Sequence, residues 1–218
     1  MQKKIAVVLS GCGFLDGAEI HESVLTMLHV TKSGAALHCF APDIKQTTVT
    51  SHLTRDSLGE SRSVLAESAR IARCDIGDLK KLDAKDFDAV IFPGGFGAAL
   101  NLCNFGTKGA DCTVHPEVER VINAFHQAKK PIGAICIAPA IVARVLGNKG
   151  VELTIGTDPG TAQTLEKLGA RHVNKKVTEI HYDEKNRVAT TPAYMLAQNI
   201  AEVDAGVSRL VAKIIEVC

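Results

Sequence analysis

Short, wholly apolar runs alternate along this chain with longer segments of helical spacing, and that alternation restricts the fold more than any other feature. The runs at 5–9, 35–40, 87–92 and 131–135 have the length and content of strands buried on both faces. Between them lie amphipathic helical patterns at 21–33, 61–72 and 116–128, and others follow at Pro139–Leu146, 161–168 and 194–218. The first helix is expected to turn Val24, Leu25, Leu28 and Met27 inward, with Gly34 at its C-terminal cap. Strands spaced by helices pair in parallel, with helices on both faces of the sheet. A further strand is expected at 151–155, and a hairpin where 176–182 and 187–191 flank Asp183-Glu-Lys-Asn186. Residues 43–60 are polar and irregular, a long surface excursion of the kind that tends to be functional or mobile. No repeat or linker interrupts the pattern, so one α/β domain over residues 1–218 is expected.

Composition narrows the function classes. With 25 Lys+Arg against 24 Asp+Glu, the formal charge of +1 supplies no basic field for nucleic acid or an anionic membrane. No apolar stretch is long enough to span a bilayer, and the N-terminal apolar run is that of a first strand rather than a signal peptide. The seven Cys, an odd number without a CxxC pair, point to reduced thiols and a cytoplasmic type of compartment. The eight His form no HExxH pattern, so no metal site and no cofactor are expected.

Chemistry concentrates in Pro131-Ile-Gly-Ala-Ile-Cys136-Ile-Ala-Pro139. Small residues around Cys136 permit a sharp strand-to-helix turn, which would project the thiol into a cleft at the carboxyl end of the sheet. Following amides and a helix N-terminus would then favour the thiolate, although a cysteine in an apolar run is often only core filler. Asp88-Ala-Val-Ile-Phe-Pro93-Gly94-Gly95 ends a second strand with backbone N–H groups left unshielded, suited to a developing oxyanion. Gly11-Cys-Gly13-Phe-Leu-Asp-Gly17 has the wrong spacing for a dinucleotide fingerprint. Cys12, in that loop, is weighed as a resolving thiol for Cys136 and more readily read as one without a role.

PGGFGAA, GAICIAPA and an N-terminal GAEIHES, in this order and spacing, resemble the DJ-1/PfpI branch of the class I glutamine-amidotransferase-like superfamily. LSGCGFLDGAEIHE and TTPAYMLAQNIAE bring the likeness closer to its ES1, or ElbB, isoprenoid-associated members. That resemblance implies a flavodoxin-like three-layer sandwich, a homodimer, and a nucleophilic cysteine on Cys136. It also implies an acidic partner on Glu22, with Glu19 one turn earlier as the rival, and paired amide donors on Gly95 and Ile137. The activity it implies is a cofactor-free, glyoxalase-III type of conversion of glyoxal or methylglyoxal to a 2-hydroxy acid, or repair of glycated side chains by the same first step. A stress-responsive reactive thiol and an accessory protein of isoprenoid metabolism are the alternatives. The chain departs from the amidotransferase triad. Its His115-Pro-Glu117 precedes Cys136, and neither His172 nor His181 is followed by Glu two residues on. Glutamine hydrolysis is therefore not expected.

Overall fold

The computed structural model describes residues 2–218. Its first half runs β1 (Lys4–Val8), α1 (Ile20–Lys32), β2 (Ala36–Ala41), α2 (Val64–Ile71), β3 (Ile76–Asp78), β4 (Ala89–Phe92), α3 (Phe96–Leu100), α4 (Phe105–Lys108) and α5 (Pro116–Gln127). Then come β5 (Ile132–Ile135), α6 (Pro139–Leu146), β6 (Glu152–Leu153), α7 (Pro159–Lys167), β7 (Arg171–His172), β8 (His181–Asp183), β9 (Val188–Thr191) and α8 (Ile200–Val217). Seven strands form one sheet in the order β3-β2-β1-β4-β5-β9-β8. All pairs are parallel except β8 with β9, the hairpin expected from the sequence. The fold is the flavodoxin-like α/β sandwich.

Side-chain alternation divides the core into two layers. Ala6, Val8, Val90, Phe92, Ile132 and Ala134 face α5 and α6, whereas Ile5, Val7, Ile91 and Ala189 face the side of α1 and α8. On that second side α8 buries Val203, Val207, Leu210 and Ile214 at helical spacing. Its approach to the sheet needs Gly206, where an added Cβ would lie 2.7 Å from Thr191 Oγ1 and 2.8 Å from the Val177 carbonyl oxygen.

Three expectations change. Leu25 and Met27 pack half-buried against the core as expected, but the fully buried face of α1 consists of Glu22, Ser23, Thr26 and Val30, while Val24 and Leu28 stand 47% and 40% exposed. The hydroxyls of Ser23 and Thr26 tolerate this burial because they donate to the carbonyls of Glu19 and Glu22, at 2.6 and 2.7 Å. Apolar periodicity located the helix but not its rotation. The helix expected from 194 begins at Ile200 instead, because Ala193 takes φ 43° and starts a 3₁₀ turn, and Asn199 then caps α8 through the Glu202 N–H. The strand expected at 151–155 is reduced to β6, which pairs with β7 in a separate two-stranded sheet. The 43–60 excursion contains no helix or strand, but it is tethered: Thr50 N–H donates to Asp16 Oδ2 at 2.6 Å, and Thr47 N–H to Asn101 Oδ1 at 2.9 Å.

Replacing Gly206 by Ala tests the α8 contact. In an open helix the change would gain about 1 kcal/mol from propensity. Against β9 the overpacking should dominate, and chemical denaturation should show a net loss of about 1–3 kcal/mol.

Candidate functional site

Strand order reverses between β1 and β4, and the loops that follow the carboxyl ends of β1, β4, β5 and β9 meet there, where ligands of open α/β sheets bind. Cys136 comes from the turn between β5 and α6. Its backbone has φ 62°, in the left-handed region, and is held there by a hydrogen bond from its N–H to the Thr191 carbonyl at 3.0 Å. This is the sharp elbow expected from the sequence. The amides of Gly95 and Ile137 donate toward the sulfur, so the two predicted donors converge on one atom.

Of the two candidate carboxylates, Glu22 reaches Cys136. It is fully buried, and its carboxyl is in hydrogen-bonding contact with the thiol. Oε2 accepts from the Gly94 N–H at 2.9 Å and Oε1 from the Tyr194 N–H at 3.3 Å. Gly94 must be glycine for this approach, since an added Cβ would lie 2.5 Å from Cys136 Cβ and 2.7 Å from Glu22 Oε2. Glu19 serves as the N-cap of α1, its Oε2 accepting from the Glu22 N–H at 2.7 Å, and its own N–H donates to the Gly94 carbonyl at 3.0 Å.

Burial raises the Glu22 carboxyl to about 8, aided by the nearby Glu19 charge and opposed by the hydrogen bonds it accepts. It is therefore neutral at pH 7. The thiol of Cys136 is also raised, first by burial and next by an ionised Glu22, while the Gly95 and Ile137 amides pull it down. This corrects the expectation that the elbow's field favours thiolate, because the sequence reading left out desolvation, the largest influence. With Glu22 neutral its charge no longer opposes the thiolate, and its O–H becomes a further donor to sulfur.

Above the thiol lies a cavity of ≈ 690 Å³. Phe14, Phe96, Ile137 and Met195 give it apolar walls, and Glu19, His21 and Tyr194 supply its polar edge. His21 Nδ1 and the Tyr194 hydroxyl are 2.7 Å apart. Residue-type arguments did not single out His21, Tyr194, Phe14 or Phe96, although all but Phe96 lie within the two longest recognisable motifs and Phe96 within PGGFGAA. Other candidates lie elsewhere. His115 caps α5 by accepting from the Glu117 N–H, and Glu117 pairs with Arg120. His172 accepts from the Ile155 N–H, and His181 meets Glu152. Cys12 is half-buried and does not wall the cavity. Among the described residues no cluster suits a metal ion.

No protein-family model matches the chain. It is 49% identical to the ES1 protein homolog, mitochondrial, of Rattus norvegicus, over 98% of this chain and 83% of that protein. It is also 49% identical to the human glutamine amidotransferase-like class 1 domain-containing protein 3, mitochondrial, over 98% and 82%. A crystal structure of an isoprenoid biosynthesis protein with an amidotransferase-like domain, from Ehrlichia chaffeensis, superposes with TM-score 0.93 at 36% identity, covering 99% of each chain. Drosophila melanogaster DJ-1beta shares the fold, at TM-score 0.58 and 18% identity over 100% of this chain and 96% of that one. Sequence identity over nearly the whole chain and a shared fold thus agree, and the chain belongs to the ES1, or ElbB-like, family of class I glutamine-amidotransferase-like proteins.

Proposed function

We propose that the protein converts small 2-oxoaldehydes to 2-hydroxy acids without a cofactor, with Cys136 as nucleophile and Glu22 as the proton carrier. The observation that carries this reading is a fully buried carboxyl, neutral at pH 7, in contact with a thiol at the floor of an open cavity. The competent pair holds one proton, shared as thiolate beside neutral carboxyl. Sulfur adds to an aldehyde carbon, and Glu22 protonates the resulting oxyanion, leaving a hemithioacetal and a carboxylate. The Gly95 and Ile137 amides, already directed at the sulfur, stabilise charge as it moves to the adjacent oxygen. Glu22 next removes the hemithioacetal C–H proton and returns it to the neighbouring carbon through an enediol, while a hydroxyl proton shifts between the two oxygens. The product is a thioester, and water cleaves it to the 2-hydroxy acid and restores the pair. One carbon is oxidised as its neighbour is reduced, so no outside oxidant is needed.

His172 and His181 are engaged away from the elbow, which supports the departure from glutamine hydrolysis. Seven free thiols suit a reducing compartment, either cytoplasm or the interior of an organelle, the rat and human relatives being named as mitochondrial. A second copy of the chain is the natural partner for α1, whose outward residues Ile20, Val24 and Leu28 form an apolar stripe, each at least 40% exposed.

Three outcomes are expected. Glu22→Gln should lower glyoxal turnover by about 10²–10⁴-fold while Glu19→Gln lowers it far less. Steady-state assays without glutathione would measure this, and equal losses would rule out a positioned proton carrier. The Glu22 proton also links activity and stability to pH with opposite signs. Folding retains that proton from the unfolded value of 4.5 up to about 8, so stability should fall as pH rises across this window. The loss should be on the order of 3–5 kcal/mol, while turnover climbs through a midpoint of about pH 8 and levels above it. Glu22→Gln should flatten that contribution to the stability profile. Finally, light scattering should give twice the 23.2 kDa chain mass, and Val24→Asp should return it to the monomer value.

A further inference from the structure

We propose that the cavity over Cys136 selects 2-oxoaldehydes with an uncharged apolar body, such as an aryl group, and turns away anionic ones. This substrate class rests on the Cys136–Glu22 reading above and deepens it. A volume of ≈ 690 Å³ lies within the range of about 300–1,000 Å³ that encloses drug-sized ligands. Glyoxal or methylglyoxal would reach the thiol and leave most of that space to water.

The walls are specific in kind. Phe14, in the loop after β1, and Phe96, the first residue of α3, line the cavity and are 42% and 50% exposed. Neither ring belongs to the two core layers, so packing of the fold does not account for them. Both are nevertheless held in position. The Phe96 N–H donates to the Phe14 carbonyl at 2.7 Å, and the Phe14 ring meets His52 edge-on at 5.6 Å between centroids. His52 is itself fixed, since its Nε2 accepts from the Leu15 N–H at 3.2 Å. The tethered 43–60 excursion therefore braces an aromatic wall of the site. Ile137 and Met195 add apolar surface to the same lining.

Charge points the same way. No Lys or Arg lines the cavity, and Glu19 stands in its wall. A carboxylate, phosphate or diphosphate entering there would lose water, find no cation and meet a like charge. An isoprenoid diphosphate therefore fits poorly, whereas a neutral ring gains from burial. Each methylene-sized group buried is worth roughly fourfold in binding, so an aryl group should gain at least about tenfold.

Two measurements on the full chain separate this inference from the reaction it builds on. The first compares kcat/KM for methylglyoxal, phenylglyoxal and 4-carboxyphenylglyoxal, each normalised to its reaction with N-acetylcysteine. Phenylglyoxal should exceed methylglyoxal by at least about tenfold, and the added carboxylate should cancel the gain. The second needs no turnover: alkylation of Cys136 by iodoacetanilide, iodoacetamide and iodoacetate, followed by mass spectrometry and normalised in the same way. The anilide should react fastest and the acetate slowest, and Glu19→Gln should narrow the gap between iodoacetamide and iodoacetate. Equal normalised rates for the three reagents would overturn the cavity inference, as would a phenylglyoxal preference of less than twofold. Absence of any dicarbonyl turnover with the alkylation order preserved would overturn the reaction and leave the cavity's selectivity standing.

Discussion

A carboxyl group with no access to water is the constraint on which the rest of the site depends. Glu22 sits fully buried with its oxygens taken by the Gly94 and Tyr194 amides and the Cys136 thiol. Burying it charged would be costly, so it keeps its proton to about pH 8 and turns an ordinary helix residue into an acid that can both give and take a proton near neutrality. Its three contacts come from three different loops, after β4, β5 and β9, and Glu22 itself follows β1. One side chain thus ties together four strand ends around the point, between β1 and β4, where the sheet order reverses.

Several local departures from ideal geometry follow from that tie. Cys136 takes a left-handed backbone conformation that directs its sulfur toward Glu22 and the two donating amides. Ala193 does likewise and brings the Tyr194 N–H to the carboxyl, so the chain reaches its last helix only at Ile200. The inward face of α1 carries Glu22, Ser23 and Thr26 where Val24 and Leu28 were expected. Val24 and Leu28 stand on the outer face instead, beside Ile20. Local rules are broken where a site competes with packing, and here the breaks fall on the elements that carry or contact Glu22.

The same geometry separates the site's two levels. Deep in the cleft the Glu22 carboxyl is fully buried and its oxygens are paired, which suits proton transfer. Nearer the surface, exposed aromatic rings and a single carboxylate at Glu19 form a mouth that distinguishes molecules by charge and apolar area. The bracing of Phe14 by His52 gives the long polar segment after β2 a role in shaping that mouth, although it holds none of the reacting groups.

Residue order alone revealed the parallel α/β architecture, the elbow at Cys136, the hairpin before α8 and the family, because hydrophobic period, turn residues and motif spacing are properties of the linear chain. Glu22 and Glu19 remained rivals there, because two acids one turn apart on a helix differ only in what lies opposite each of them. The rotation of α1, the late start of α8 and the shortened β6 were equally illegible, since each depends on partners distant in sequence. Protonation was the most deceptive case. A helix terminus and nearby amides can be read from the elbow motif and favour a thiolate, but the desolvation that opposes it exists only after four strand ends have closed around the thiol. Tertiary structure decided which acid meets the sulfur, which charge state that acid keeps and what walls the cavity, because burial is a property of the assembled chain and not of any segment of it.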